Sequence, residues 1–410
     1  MNRVVVTGAG AVSPIGNSLE ETWSRARAGK SGIEAITGFD VADIPWKAAG
    51  TVKDFHAEAY LNPKEIIRLD PFVHYAVAAA VMATADAGLT GTDSLQSAGV
   101  IIGSSRGGIG TIEKALRKKY LSHHTAYPSR MSAFLMPSTT VSMASSYVAQ
   151  KLGITGYCLG ISNACASGSS AIGEAYRLVK SGYRHPVICG GTEAPVCRTC
   201  IEGFGVSGAL SRKTGSFASR PFDRNRDGFI LSEGACILVL EPYESAIRRG
   251  VGIYGEVIGY GNTTDSFHQT IPSAQGEARA MQSALDEARL KPGDIHFISA
   301  HGTSTRLGDK TETEAIKRVF GKDAYLIPVT ALKSLTGHML AASGALEAAL
   351  TLLCLRDGVI FPTINLLERD PECDLEYVTE CRHAHPHNAL CQSFGFGGLN
   401  AVLVFRKFTS

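Results

Sequence analysis

The chain has 410 residues, of which 44% are hydrophobic and 19% are charged, and its formal net charge is +2. These values are typical of a globular α/β enzyme with a large core, and they exclude binding to nucleic acid or an anionic membrane through overall charge. The N-terminal apolar run is too short for a secretion signal, and no apolar stretch reaches the roughly 20 residues of a membrane span. We therefore predict a cytoplasmic protein.

The first half of the chain predicts alternating strands and helices. A buried strand at residues 4–6 runs into a glycine-rich turn, GAGAVSPIG, in which Ser13 and Pro14 replace the end of a dinucleotide-binding motif and exclude a nucleotide site. Residues 70–88 predict a buried helix, and GVIIG at 99–103 predicts a strand buried on both faces. Two further strands, HPVICGG and GACILVLE, are separated by a predicted glycine-rich loop, EGFGVSGALS.

Between residues 110 and 147 the chain is more polar and carries a group of basic side chains. The group comprises Lys114, Arg117, Lys118, Lys119, His123, His124 and Arg130. Such a group is typical either of a solvated face or of a landing site for an acidic partner. Both interpretations stay open from the sequence.

The second half repeats the plan of strands and helices, and one pair of short segments gives the best internal match. ASGSSAIGEAYRLVKSG at 166–182 aligns with ASGALEAALTLLCLRDG at 342–358, so that Ala341 occupies the position of Cys165. A duplicated α/β unit places two such helices near a common pseudo-twofold axis. The segments that precede the two helices are therefore expected to share one site.

Cys165 stands in ISNACASGSSAIG, where a polar loop becomes a small-residue helix. The unpaired amides of the first helical turn and the helix dipole favour a thiolate at this position, so we predict a nucleophile with a lowered pKa. The alternative is a small cysteine buried in the core. The other cysteines, ten in all with Cys165, are scattered and indicate a reducing compartment. The CxxC pair Cys197 and Cys200 lacks a second ligand pair at zinc-site spacing, and we predict no metal site.

Two histidines occupy comparable settings. His301 follows a predicted strand and opens HGTSTRLGD, and His338 closes LKSLTGH just before the second small-residue helix. Open α/β sheets place their chemistry at the carboxyl ends of strands, where both residues are expected. For either residue alone, an ordinary core or surface histidine is the alternative.

Four ordered motifs carry a family resemblance: NACASG around Cys165, HGTSTRLGD around His301, KSLTGH around Lys333 and His338, and the closing SFGFGGLN. They resemble the elongating β-ketoacyl-acyl-carrier-protein synthases of fatty-acid and type II polyketide synthesis, and VTGAGAVSPIG, PFDRNRDGFILSEGA and FPTINL extend the resemblance over nearly the whole chain. The resemblance implies an α/β, thiolase-like fold of five layers, α-β-α-β-α, built from two similar halves. We place the halves at 1–250, with the nucleophilic cysteine, and 251–410, with both catalytic histidines.

The resemblance also implies a reaction and partners. Cys165 is expected to hold an acyl chain as a thioester, and His301 and His338 to stabilise the enolate that forms when a malonyl group on acyl carrier protein loses CO₂. No metal, nucleotide or hydride cofactor is required, because the phosphopantetheine arm arrives on the carrier protein. The expected assembly is a homodimer, or a heterodimer with a ketosynthase-like subunit.

Further site residues follow from the same resemblance. Phe396 matches an amide donor of the oxyanion hole and a gate to the acyl pocket, Lys333 and Glu347 match an ion pair that organises the histidines, and Thr303 and Thr305 match residues that bind the phosphopantetheine arm. The remaining assigned substrate-binding residues are Arg106, Phe204 and Leu399.

The chain departs from the family pattern at three positions. Leu332 and Leu399 stand where the family usually has threonine, which removes hydroxyl groups near the catalytic histidine and the gate. Arg106, in GSSRGG, stands where the family has an apolar residue at the floor of the acyl pocket. We expect Arg106 to shorten the pocket or to pair with a polar group of the acyl chain, since an unpaired guanidinium in an apolar tunnel is costly. An ordinary salt bridge is the alternative.

Three related roles fit this sequence less well. A thiolase that uses coenzyme A needs a second reactive cysteine near the C-terminus, but the glycine-rich loop holds Phe396 there, and Cys391 is expected on a buried strand. Starter-unit synthases use Cys, His and Asn, whereas this chain offers a second histidine. A chain-length-setting partner subunit lacks the nucleophile, so Cys165 argues against that role.

Overall fold

A computed structural model describes residues 2–120 and 130–409. The strands are β1 (Val4–Val12), β2 (Glu34–Ala35), β3 (Ala48–Ala49), β4 (Gly99–Gly103), β5 (Cys158–Ile161), β6 (Val187–Glu193), β7 (Gly234–Pro242), β8 (Gly255–Thr264), β9 (Phe297–Ser299), β10 (Val329–Thr330), β11 (Val359–Ile360), β12 (Arg382–His383), β13 (Asn388–Gly395) and β14 (Leu399–Arg406). The α-helices are α1 (Leu19–Arg27), α2 (Pro63–Arg68), α3 (Pro71–Asp86), α4 (Asp93–Gln96), α5 (Ile109–Tyr120), α6 (Leu135–Thr139), α7 (Met143–Leu152), α8 (Ser167–Lys180), α9 (Arg198–Val206), α10 (Tyr243–Arg249), α11 (Ala274–Ala288), α12 (Arg306–Phe320), α13 (Lys333–Thr336) and α14 (Ala341–Asp357).

Ten strands form one hydrogen-bonded sheet, which consists of two five-stranded halves. The first half has the order β5-β4-β6-β7-β1 and the second the order β8-β14-β13-β9-β10. A short antiparallel pairing joins them, with Val4 opposite Val257 and Val6 opposite Gly255. Each half has three parallel strands at the end that lies away from this pairing, β5-β4-β6 in one half and β13-β9-β10 in the other.

Helices cover both faces of each half-sheet and produce five layers. Helices α3 and α7 pack on the outer face of the first half, α8 and α14 contact strands of both halves, and α11 packs on the second half with α12 beside it. Alternate residues of β7 face opposite layers: Ile237 and Val239 join the cluster around α3, and Leu238 and Leu240 join the central cluster. The predicted thiolase-like α-β-α-β-α architecture is therefore confirmed.

Two local predictions were wrong. The glycine-rich segment after residue 6 is not a turn but continues β1 to Val12, because Gly8 and Gly10 let α3 approach the strand closely; a Cβ on Gly10 would lie 2.2 Å from the carbonyl oxygen of Ala79. The segment EGFGVSGALS is not a loop throughout, since its first residues complete α9. Burial of Ile201 and Phe204 on one face of that helix outweighs the helix-breaking tendency of its glycines.

Other predicted elements agree with the structure. Asp70 caps α3 by accepting from the amide of Phe72, and Pro71 opens the helix. The basic group lies partly on α5, which bears the positions from 114 to 119, while His123 and His124 lie outside the described residues. Within the ranges described, no helix is both long and apolar enough to cross a membrane.

Candidate active site

Cys165 lies in a sharp turn between β5 and α8. Ala164, just before it, has a φ of 47°, a left-handed conformation that residues with side chains rarely adopt. The hydroxyl of Ser167 closes the turn: it accepts from the amide of Asn163 at 2.8 Å and donates to the carbonyl of Ala164 at 2.6 Å. The turn carries Cys165 to the wall of the central cavity.

The turn before α14 reproduces this geometry in the second half of the chain. Leu340 has a φ of 46°, and the hydroxyl of Ser343 accepts from the amide of Met339 at 2.8 Å. The two helices cross so closely at Gly168 that a Cβ there would lie 2.2 Å from the carbonyl oxygen of Ala341. The internal repeat therefore corresponds to two equivalent helices that begin side by side, as the sequence predicted.

A cavity of about 410 Å³ lies where these two turns meet. Four of the predicted site residues that line it are Cys165, His301, His338 and Phe396. Four more are Thr303, Thr305, Arg106 and Phe204. Leu399 does not line this cavity but opens β14 beside Gly397, so its assignment to the substrate-binding set finds no support in its position. Both halves of the chain thus contribute side chains to one cavity.

The rings of His301 and His338 pack edge to face, with centroids 5.3 Å apart and ring planes at 84°. Nδ1 of His301 lies 3.3 Å from the ammonium nitrogen of Lys333, and Nδ1 of His338 lies 3.2 Å from the hydroxyl of Ser343. Burial lowers the pKa of both imidazoles well below the ordinary value, and the charge of Lys333 adds to this effect, so both rings are neutral. The Lys333 ammonium can only donate, so we assign the proton of His301 to Nε2. We assign the same tautomer to His338, because the Ser343 hydroxyl already accepts from the amide of Met339 and can direct its own proton to Nδ1.

Lys333 and Glu347 are fully buried beside the cavity. Their ion pair measures 2.6 Å, and Lys333 also donates to the carbonyl of His301 at 2.6 Å. Burial raises the pKa of Glu347, while Lys333 opposes this rise. The predicted pairing of the two residues is present, and it lies directly behind His301.

The predicted lowering of the Cys165 pKa was wrong. Burial raises the pKa of this thiol to about 11, although Lys333, Arg106 and the amide of Phe396 all act to lower it. Loss of solvation thus outweighs the helix start and the nearby cations. In the resting protein Cys165 is a protonated thiol at neutral pH.

Two buried carboxyl groups support the site and were not predicted. Glu312 accepts from the amides of His301 and Gly302 at 2.7 and 2.8 Å, and burial raises its pKa to about 8. Glu193 accepts from the amides of Ser105 and Arg106, and burial raises its pKa to about 7. Glu312 follows the HGTSTRLGD motif by three residues, but only the folding of that loop back onto α12 connects it with His301.

Aromatic rings form the apolar wall of the cavity. The ring of Phe204 lies 5.5 Å from that of Phe229 and 6.3 Å from that of Phe396, and the Arg106 guanidinium carbon lies 5.0 Å from the Phe204 centroid. Phe396 stands in a loop that approaches the nucleophile closely: a Cβ on Gly395 would lie 3.2 Å from the amide nitrogen of Cys165. The loop and the cysteine turn therefore form one packed unit.

Two similar α/β halves with a cysteine and two histidines at their junction define a condensing enzyme of the thiolase fold. Comparisons with known proteins agree. Residues 1–246 match the family described as Beta-ketoacyl synthase, N-terminal domain, and residues 254–367 match Beta-ketoacyl synthase, C-terminal domain. The chain therefore belongs to the β-ketoacyl synthase family.

Individual relatives cover the whole chain. A 3-oxoacyl-(acyl-carrier-protein) synthase 2 from Synechocystis sp. is 45% identical over 99% of this chain and 98% of its own length. The solved ishigamide ketosynthase/chain length factor has a TM-score of 0.93 at 37% identity, with full coverage of both chains. A type II polyketide ketosynthase, AntDE, solved with its acyl-carrier protein AntF and bound to the hexaketide, has a TM-score of 0.90 at 34% identity and covers 99% of this chain and 100% of its own.

Proposed function

We propose that this protein is a β-ketoacyl-acyl-carrier-protein synthase that performs a decarboxylative Claisen condensation. The observation that carries the proposal is the meeting of the Cys165 thiol with two neutral histidines in one cavity. First, Cys165 attacks an acyl thioester, the new S–C bond forms, and the carrier's thiol leaves with the proton. Then the bond between the malonyl carbon and its carboxylate breaks, and CO₂ departs. The resulting carbanion attacks the Cys165 thioester, the bond between the acyl carbon and the sulfur breaks, and β-ketoacyl-acyl carrier protein is formed. Cys165 leaves as a thiolate and takes up a proton from solvent.

Each histidine is assigned one hydrogen bond in this scheme. The Nε2–H groups of His301 and His338 donate to the malonyl thioester oxygen, which gains negative charge as CO₂ leaves. Nε2 of His338 is buried and has no partner in the described protein, so it is available for this bond. The loss of CO₂ drives the reaction, and the scheme needs no metal, nucleotide or hydride cofactor.

The remaining cavity residues are assigned to binding. The amides of Cys165 and Phe396 suit an oxyanion hole for the tetrahedral intermediates, where each such donor contributes about 3 kcal/mol. The hydroxyls of Thr303 and Thr305 lie 2.9 Å apart at the cavity wall and suit the amides of a phosphopantetheine arm. Phe396 is proposed as the gate, since Gly397 and Gly398 beside it have φ values of 86° and 68° and provide a hinge.

Acyl carrier protein is the proposed partner. One relative is named for a carrier-protein substrate, and another was solved in complex with its carrier protein. Carrier proteins are acidic, and the basic positions 114–119 of α5 offer complementary charge. Reversing charge with Lys118→Glu and Lys119→Glu is expected to raise the KM for the carrier protein and leave kcat unchanged; an unchanged KM would locate the dock elsewhere.

A second subunit is proposed at the β5 edge of the sheet. Strand β5 ends the order of the first half-sheet, and Leu159 on it and Tyr157 beside it are 38% and 44% exposed. Exposed edge strands are templates for pairing with another chain, which suits a homodimer or a heterodimer with a related subunit.

We also propose that the two halves of the chain divide between residues 250 and 251. The strands of the first half-sheet all lie before this point in the sequence, and β8 is the first strand of the second half-sheet.

Mass spectrometry tests the function directly. Wild-type protein incubated with octanoyl carrier protein is expected to carry the octanoyl group on the Cys165 peptide and, after addition of malonyl carrier protein, to release CO₂ and the β-keto product. Cys165→Ala is expected to abolish both steps, whereas His301→Ala and His338→Ala should retain loading and lose condensation. Product formation by Cys165→Ala would overturn the proposal.

The same assay addresses the alternatives. A thiolase would form product from acyl coenzyme A alone, but Cys391 is fully buried in β13 and does not line the cavity. A chain-length-setting subunit would accept no acyl chain on Cys165. Loading together with carrier-dependent condensation would exclude both.

A further inference from the structure

Arg106 places a cation in the cavity that holds the nucleophile. It follows β4 in the Ser104–Arg106 turn, and its side chain is exposed at the cavity wall. The guanidinium stacks over the ring of Phe204, and stacking occupies the face of the group. The in-plane N–H donors of a stacked guanidinium remain free to bind a ligand.

No carboxylate among the described residues forms an ion pair with this guanidinium. The nearby carboxyl group, that of Glu193, is buried under the turn. Its Oε1 atom accepts from the amides of Ser105 and Arg106 and from the hydroxyl of Ser104, and its Oε2 atom has no hydrogen-bond partner among the described residues. Across residues 2–120 and 130–409, the guanidinium of Arg106 forms no salt bridge. The expected alternative of an ordinary salt bridge is therefore not what the described residues show.

Contact between a saturated acyl chain and the Arg106 guanidinium is energetically unfavourable. The chain would lie against the rings of Phe204 and Phe396 and would strip water from the cation without replacing its hydrogen bonds. A chain that carries an acceptor oxygen would keep the same apolar contacts and also accept a charge-assisted hydrogen bond. The wall thus combines apolar rings with a single fixed donor group.

We propose that Arg106 selects acyl chains that carry a keto or carboxylate oxygen over saturated chains of equal length. This inference rests on the proposed function, because it concerns the acyl group that Cys165 accepts. The shared chemistry is an acceptor oxygen that binds a planar cationic fork.

Competitive loading of Cys165 tests the selection. The probes are carrier proteins bearing octanoyl, a series of keto-octanoyl chains with the keto group moved along the chain, and octanedioyl. Wild-type protein is expected to load at least one oxygenated chain about tenfold or more faster than octanoyl, the effect of one charge-assisted hydrogen bond. Preference for a keto chain would identify a carbonyl as the ligand, and preference for octanedioyl a carboxylate.

Three variants sharpen the test. Arg106→Met should bring the oxygenated-to-saturated ratio close to one, and Arg106→Lys, which keeps charge but loses the planar fork, should retain only a preference for octanedioyl. The matched control is Arg177→Met, which removes another exposed arginine stacked on a ring, that of Tyr260, outside the cavity; it should keep the wild-type ratio.

Two results would overturn the proposal that Arg106 selects oxygenated chains. These are equal loading of all chains by wild-type protein, or a ratio that survives in Arg106→Met. If wild-type protein condenses every chain without preference, only the Arg106 proposal fails. If no chain loads on Cys165, the proposed function fails with it.

Discussion

The ammonium nitrogen of Lys333 lies 3.3 Å from Nδ1 of His301. The same nitrogen donates to the carbonyl of His301 and to the carboxylate of Glu347, both at 2.6 Å. One buried cation therefore fixes both the tautomer and the backbone position of this histidine. Lys333 does not line the cavity, so it acts through His301 as a positioning residue.

Lys333→Met should separate the role of Lys333 in positioning His301 from its contribution to the stability of the folded protein. Malonyl decarboxylation is expected to fall about 100-fold, because His301 loses the donor that keeps its proton on Nε2. The free energy of unfolding should fall by about 3–5 kcal/mol, since Glu347 is left as an unpaired buried group. The double variant Lys333→Met/Glu347→Leu should recover stability in urea titrations but not decarboxylation. Recovery of both would make the pair purely structural.

Ser167→Ala and Ser343→Ala form a matched pair across the two halves. Each removes a hydroxyl that accepts from the amide four residues earlier at 2.8 Å. Loss of Ser167 is expected to slow acylation of Cys165 about tenfold, whereas loss of Ser343, the partner of His338, should slow decarboxylation to a similar degree. Single-turnover loading and CO₂ release measure the two steps. Equal effects of both variants on both steps would contradict this division.

The reactivity of Cys165 should depend steeply on pH. Because burial raises the pKa of its thiol to about 11, the thiolate fraction, and with it the alkylation rate, should rise about tenfold per pH unit between about pH 7 and 9. Peptide mass spectrometry after iodoacetamide treatment isolates this site from the exposed Cys158 and Cys381. A rate that is flat over this interval would show a thiolate already formed in the resting protein.

Glu193→Gln should change how stability depends on pH. Burial raises the pKa of Glu193 from the ordinary 4.5 to about 7, so the folded protein holds a proton that the unfolded chain has released. Its contribution is therefore complete below about pH 4.5 and is lost as pH rises to about 7. The unfolding free energy of Glu193→Gln relative to wild type should rise by up to about 3 kcal/mol over this interval. Glu20→Gln, an exposed control, should give no such slope, and a parallel pH profile for Glu193→Gln would refute the assignment.

Sequence patterns predicted the parts of the site that depend on local signals. Cys165 at a helix start and His301 and His338 at strand ends follow from sequence position, and the structure brings these three residues to one cavity. The role of Glu312 was not predictable, because it depends on a loop that folds back onto a helix. The pKa of Cys165 was predicted in the wrong direction, since the sequence shows the helix start but not the depth of burial.

The sequence predicted α3 and β4 correctly but misassigned two glycine-rich segments. Glycine in a sequence marks either a turn or a place where two backbones touch, and only the tertiary structure distinguishes the two. Both errors of this kind, at β1 and α9, arose where close packing against a neighbour uses the glycine or tolerates it. The alanine-rich helix α3 and the strand β4 carried no such ambiguity.

The two strained turns at Ala164 and Leu340 have nearly the same backbone angle but bear different chemistry. One turn presents the sulfur atom of Cys165, and the other lies two residues after His338, so two turns of similar backbone shape hold different chemical groups at one cavity. Neither half is therefore an enzyme by itself. The side chains that line the cavity come from both halves, so the complete site forms only when the whole chain has folded.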